Sequence, residues 1–424
     1  MPPFVRACFL WSLLASGGPS ANAGNWPHWR GPQDNGSTET IISPTNWSSE
    51  TGLLWKADLP GKGCSTPIIW QKQIFLTGPV NGEDALLSFD WSGKQLWQTT
   101  LGRENSGKNV HGSGSNPSPV TDGKSLFVFF KSGHFAALDF SGHIQWKTDL
   151  IARFGKDTLY WDYGTSPVLT ETDVVLARLH HGDSYLAAFD KQTGDLHWKV
   201  ARNYQTALEG DHSYATPLLI KEGGKEALLV LGGEHLTAHD ASDGKLMWEC
   251  GGFNPEAKKN WVPVASPVIA GDIAIVPYGR GAQLHGIRLG GHGDVSATHR
   301  AWLRQDCGSF VSTPAEYNGR VYLLHDHGPE RGMVECLEPN TGKTIWRESL
   351  PKGSAEYYAS PLVAEGKLYA AREDGTVFVA SIAPNFGLLS ENAMDEPIIA
   401  SPIAADGRLF IRAEKHLFCI GSQN

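Results

Sequence analysis

The chain has 424 residues, of which 41% are hydrophobic and 19% charged, a balance that excludes a mainly disordered protein. With 36 Lys and Arg against 45 Asp and Glu the net charge is −9 and no basic run occurs, so nucleic acid is not an expected partner. Forty-eight Gly and 25 Pro break the chain too often for a mostly helical fold.

Residues 1–23 read as a secretory signal peptide. Arg6 precedes an apolar run from Ala7 to Ala15, and Ala21-Asn22-Ala23 offers a small-residue cleavage site before Gly24. The run is shorter than the ~20 residues a membrane span needs, so no transmembrane segment is expected. A periplasmic or extracellular location follows, and no cysteine is placed for a lipid anchor at that site. Cleavage leaves Cys64, Cys250, Cys307, Cys336 and Cys419. Their odd number, and the lack of any C-x-x-C, disfavour a cysteine metal site or a dense disulfide framework, and sequence does not pair them.

Residues 24–51 are a lead-in segment, and 52–424 repeat. A Ser/Thr-Pro pair followed by an apolar run recurs eight times, at Pro67, Pro119, Pro167, Pro217, Pro267, Pro314, Pro361 and Pro402. In the same phase stand Trp55, Trp97, Trp146, Trp198, Trp248, Trp302 and Trp346. Each unit reads as four short strands joined by Gly- and Asp-containing turns. Pro begins the first strand, where a missing N–H is tolerated. Asp90, Asp139, Asp190 and Asp240 read as turn formers. Four-stranded units repeating at 40–50 residues predict an all-β fold, a single eight-bladed β-propeller of antiparallel blades. The last unit lacks a fourth strand, which residues ~52–57 are expected to supply beside residues ~416–420. Such closure would remove two sheet edges.

The units Ala137-Leu-Asp139 with Gly142 and Trp146, Ala188-Phe-Asp190 with Gly194 and Trp198, and Ala238-His-Asp240 with Gly244 and Trp248 share one pattern. It resembles the tryptophan-docking repeat of quinoprotein-type, or PQQ-like, propellers, and the resemblance extends over residues ~50–421. Asn25-Trp-Pro-His-Trp-Arg-Gly31 is similar to a leader of bacterial secreted members. Blades five and seven depart from the pattern, with Ile287-Arg-Leu-Gly290 and Phe386-Gly-Leu-Leu389, and looser or differently made docking is expected there.

Alternating strand direction brings two sets of loops to one mouth of the channel. The ligand-binding candidates placed there are His111, Tyr160, Trp161, Asp162, Tyr163, His212, Tyr214, Trp261, Arg280, Phe310, Tyr357 and Tyr358. A concave mouth where aromatics meet polar groups is the default binding site. His325-Asp326-His327 reads as a solvated loop rather than a metal site, because adjacent side chains on a strand end point apart and no third ligand is in view.

The resemblance implies two functional classes. Trp161-Asp162-Tyr163 is similar to the segment bearing the catalytic aspartate of PQQ- and Ca²⁺-dependent alcohol or sugar dehydrogenases, which makes Asp162 a candidate base. The vicinal Cys-Cys pair of those enzymes is absent, as is a C-x-x-C-H haem segment. The other class is a quinone-free binding or scaffold propeller, expected to be a monomer with an unknown protein or carbohydrate ligand, similar in form to the outer-membrane-assembly lipoprotein. A carbohydrate-active propeller is a third reading, because Trp and Tyr faces stack on sugar rings. The expected function is the binding propeller, with no catalytic residue, metal or cofactor assigned beyond the candidate Asp162 and the PQQ and Ca²⁺ that the resemblance implies.

Overall fold

The computed structural model describes residues 24–39 and 44–422. They form eight sheets, each with four antiparallel strands, arranged as an eight-bladed propeller. Blade 3 is representative: Val168–Leu169, Asp173–Arg178, Tyr185–Asp190 and Leu196–Ala201. Its two middle strands are nearly all buried, while the fourth alternates between half-buried and exposed residues. That gradient fits strands running from the channel outward, with faces covered by neighbouring blades. Among the described residues the only helix is Leu150–Phe154, capped by the Asp149 carboxylate, and no helix is long and apolar enough to cross a membrane.

The ring closes as expected. Leu53–Asp58 pairs antiparallel with His416–Ile420, with Lys56 opposite Phe418, and completes blade 8. The turn aspartates also act as expected, Asp139 accepting the backbone N–H groups of Ser141 and His143 at 2.8 and 2.9 Å.

In all eight blades the register shifts by a bulge between the third and fourth strands. A bulge re-aims the side chains that follow it. In five blades the side chain so aimed is an indole that reaches the next blade. Trp55, Trp97, Trp146, Trp198 and Trp302 donate their ring N–H to the carbonyls of Trp91, Phe140, Lys191, Ala241 and Pro339 at 2.8–3.2 Å. Each ring lies on a turn glycine with positive φ, and a Cβ on Gly194 would stand 2.6 Å from the Trp146 ring. Trp146 is buried, whereas Trp198 is only half-buried.

The two departing blades are packed by remote residues. Blade 5 has Arg288 at the position of the turn aspartate, and Trp248 donates instead to the Glu222 carboxylate at 2.9 and 3.0 Å. The same carboxylate accepts the Gly290 N–H, which ties the turn down. Trp248 is fully buried, so of the two expected outcomes the docking there is differently made rather than looser. In blade 7 Ser390 stands opposite Val379, the position tryptophan takes in the other blades. The lead-in compensates: Trp47 is buried in the core cluster shared by blades 7, 8 and 1, and its backbone N–H donates to Asn392 at 2.8 Å.

The lead-in crosses the channel at the end opposite the mouth. Trp26 exchanges two backbone hydrogen bonds with Ile69 of blade 1, and Pro27 accepts from Thr121 of blade 2. Asn35 then accepts from Glu316 of blade 6, and Ser37–Thr38 runs parallel to Leu362–Ala364 of blade 7. Between these anchors Arg30 is buried, with its guanidinium donating to the carbonyls of Pro314 and Pro361.

Candidate functional site

The residue before each repeat proline is a Ser or Thr, and these eight residues form a closed ring. The backbone N–H of Thr66 donates to the Ser118 hydroxyl at 3.0 Å, Ser118 to Ser166, Ser166 to Thr216, and Thr216 to Ser266. Ser266 then donates to Thr313, Thr313 to Ser360, Ser360 to Ser401, and Ser401 back to Thr66 at 3.3 Å. The physical cause is simple: proline leaves the first strand without its first N–H, and the preceding residue turns its own N–H sideways to the next blade.

All eight ring residues line a cavity of about 410 Å³ at the mouth. That volume falls in the ~300–1,000 Å³ range of small-molecule sites. Trp29 of the lead-in also lines it and forms the partition from a 690 Å³ hollow on the opposite face. That hollow is larger, and its walls are lead-in residues and ends of first strands, with His28, Asp34, Asp122, Lys191 and Lys221 among them. From above, the loop between blades 1 and 2 reaches over the mouth to blade 7. There His111 pairs with Glu373 and stacks on Tyr358, with centroids 4.8 Å apart and planes at 19°.

Two buried carboxylates set the loops. Asp162 accepts the backbone N–H groups of Lys108 and Asn109 at 2.8–3.0 Å and the Lys131 ammonium at 2.6 Å. Asp326 accepts the backbone N–H groups of Phe310, Val311 and Ser312, and His327 bonds to it at 2.9 Å. That bond raises the His327 pKa. Its neighbour His325 faces Glu335 at 3.2 Å, so the two imidazoles serve different carboxylates.

Seven of the twelve sequence candidates line the mouth cavity: His111, Trp161, Asp162, Tyr214, Arg280, Phe310 and Tyr358. The Arg280 guanidinium sits over the Phe310 ring at 4.7 Å. Tyr160 is 59% exposed on the outer rim, edge-on to Trp161. The other four lie outside the cavity lining. Tyr163 is buried and donates its hydroxyl to the Ala177 carbonyl at 2.6 Å. Tyr357 is buried, which pushes its hydroxyl pKa up to about 12. Burial likewise lowers the His212 pKa, and Trp261 packs on Gly279 beneath Lys258. Sequence reasoning did not single out the hydroxyl ring, Cys64, Asn109, Asn116 or Trp29 as cavity residues. For the ring a signal existed, because a Ser or Thr precedes the proline in every repeat.

The family model described as outer membrane protein assembly factor BamB matches residues 82–326 and 330–420, most of the chain. The chain belongs to this PQQ-like propeller family. No curated protein matches it. Among solved structures, BamB from Moraxella catarrhalis is similar at 13% identity and a TM-score of 0.56, over 82% of this chain and 98% of that one. A europium-containing methanol dehydrogenase aligns at 10% identity and a TM-score of 0.67, over 94% and 98% of the two chains. Quinohemoprotein alcohol dehydrogenase from Comamonas testosteroni aligns at 12% identity and a TM-score of 0.66, over 95% and 82%. At such identities the likeness is one of fold.

Within this PQQ-like propeller the residues do not fit a Ca²⁺-quinone centre at Asp162. Calcium takes six to eight oxygens. The Asp162 carboxylate is already shared between two backbone N–H groups and an ammonium. Among the described residues no three His, Cys, Asp or Glu side chains gather where they could hold a metal. A cation placed at Asp162 would also stand beside the positive charge of Lys131.

Proposed function

We propose that this PQQ-like propeller is an exported binding module, acting as a monomer, whose ligand enters the mouth cavity above the hydroxyl ring. The observation that carries the reading is the condition of Asp162. Its carboxylate holds the loop between blades 1 and 2 in place and is paired with Lys131, so it is not free to take a proton from a substrate. What remains in the cavity is a wall of Trp161, Tyr214, Phe310 and Tyr358, with Arg280 and Glu356 at the rim. Aromatic faces beside polar groups suit recognition of a ligand.

Export rests on the signal-like residues 1–23, which lie outside the described residues. A cell-envelope location is in keeping with the family description. The indole–glycine contacts between blades are read here as the family's tryptophan docking, and residues 52–424 as one domain held by the lead-in 24–51.

The test is a titration of the purified protein with PQQ and Ca²⁺, followed by dye-linked oxidation of alcohols and sugars. The reading expects no turnover above the protein-free control. Saturable quinone binding with turnover that disappears in Asp162→Asn would overturn it.

A further inference from the structure

The charge around the mouth cavity is lopsided. Its carboxylates are matched: Asp162 by Lys131, Glu373 by His111, and Glu356 by Arg331 at 3.9 Å together with the Tyr358 hydroxyl at 3.3 Å. Three guanidiniums are not. Arg412 is 1% exposed and donates to the Ser65 and Thr77 carbonyls and the Ser65 hydroxyl, next to ring residue Thr66. Arg30 is 2% exposed and donates to the carbonyls of Pro314 and Pro361, the residues that follow Thr313 and Ser360 of the ring. Neither is ion-paired among the described residues. Nε of both, and Nη2 of Arg412, have no partner there. Among the described residues Arg280 at the rim has no ion pair and sits over the Phe310 ring.

A buried, unpaired guanidinium is costly, and a nearby anion lowers that cost. Burial accordingly pulls the Arg30 and Arg412 pKa values down, to about 9 and about 10. The hydroxyl ring adds to the same polarity. Every ring oxygen accepts a backbone N–H, and none donates to an acceptor among the described residues. A hydroxyl that has accepted keeps its proton to give. The floor of the cavity therefore presents eight O–H donors, and two buried guanidiniums that do not themselves line it are bonded to groups next to ring residues.

We propose that the mouth cavity binds an acidic saccharide, its carboxylate or sulfate group directed onto the hydroxyl ring and a sugar face set against Trp161. The inference rests on the reading of the mouth as a ligand site and deepens it. Anionic oxygens accept from hydroxyl and guanidinium donors in charge-assisted bonds. The half-exposed Trp161 ring supplies an apolar face for the pyranose. Uronate and sulfate-ester sugars share this chemistry.

The experiment is calorimetric titration of the full mature chain with four probes: an oligouronate, a sulfated oligosaccharide, a neutral oligosaccharide of equal length, and PQQ with Ca²⁺. Arg280→Gln and Trp161→Ala are tested beside the wild type, since both side chains are exposed enough for the fold to tolerate their loss. At least one acidic oligomer is expected to bind about tenfold or more tighter than the neutral one, and to weaken about tenfold in each variant. Its affinity is also expected to fall as salt is raised. Equal affinity for the neutral oligomer overturns the proposal, as does the absence of acidic-sugar binding at ~1 mM. If PQQ binds instead, and Trp161→Ala abolishes that binding, the saccharide inference fails while the mouth remains a ligand site. Acidic-sugar binding untouched by both substitutions removes the mouth itself from the account.

Discussion

A carboxylate that accepts three consecutive backbone N–H groups, as Asp326 does, fixes the path of a loop more tightly than apolar contact can. Burial acts on other residues in the opposite sense, by disfavouring charge. Burial, aided by Arg202, lowers the His239 pKa to about 4, and burial with Arg300 lowers that of His285 to about 3. Burial alone would raise the Glu335 pKa, but hydrogen bonds from His325, Thr344 and Arg304 hold it at about 2. All three folded-state values lie below those of the unfolded chain, ~6.5 for His and ~4.3 for Glu. Their stabilisation is therefore complete above the unfolded values and is lost as pH falls through the folded ones. We expect the urea midpoint to decline from pH ~6.5 downward, and His285→Gln to flatten the first part of that decline. A midpoint that stays level between pH ~6.5 and ~4 would contradict the assignment.

At the scale of the element, one bulge, one indole and one turn glycine make each standard blade contact. Trp146→Ala is expected to cost ~3–5 kcal/mol in chemical denaturation, as a large side chain lost from a packed contact. Gly194→Ala should destabilise by ~1–3 kcal/mol, since a Cβ there meets the Trp146 ring at 2.6 Å on a backbone with φ of 74°. Wild-type midpoints in both variants would remove the contact from the account. These contacts were legible in the sequence because Ala, Asp, Gly and Trp recur at fixed local spacing. The solutions in blades 5 and 7 were not. Glu222 is 68 residues from the Gly290 N–H that it accepts, and Trp47 is 345 residues from Asn392. No local pattern announces a partner that far away.

Across the whole molecule, the lead-in and the first complete strand act as a closing strap. They supply Trp26 to blade 1, Ser37–Thr38 to blade 7, Trp47 to the blade 7–8 core and Leu53–Asp58 to blade 8. Deleting residues 24–57 should leave the His416–Ile420 edge unpaired and give aggregated protein in size-exclusion chromatography. A monodisperse truncated monomer would show that closure is dispensable. The mouth was legible in part, since strand alternation alone located seven of the twelve candidates now found lining one cavity. Tyr163, His212, Trp261 and Tyr357 face away because position in a loop does not fix which way a side chain turns. The Ser/Thr of the repeat marked the strand start, but its hydroxyl ring appears only when eight blades stand side by side.

Asp162 is the residue on which the binding and dehydrogenase readings divide. A base kept free for a substrate contributes little to the fold, whereas a clamp buried against Lys131 and two backbone N–H groups contributes much. The direct measurement is urea unfolding of Asp162→Asn beside the wild type. Breaking a buried ion pair predicts a loss of ~3–5 kcal/mol. An unchanged or higher midpoint would contradict the account and return Asp162 to candidacy as a base.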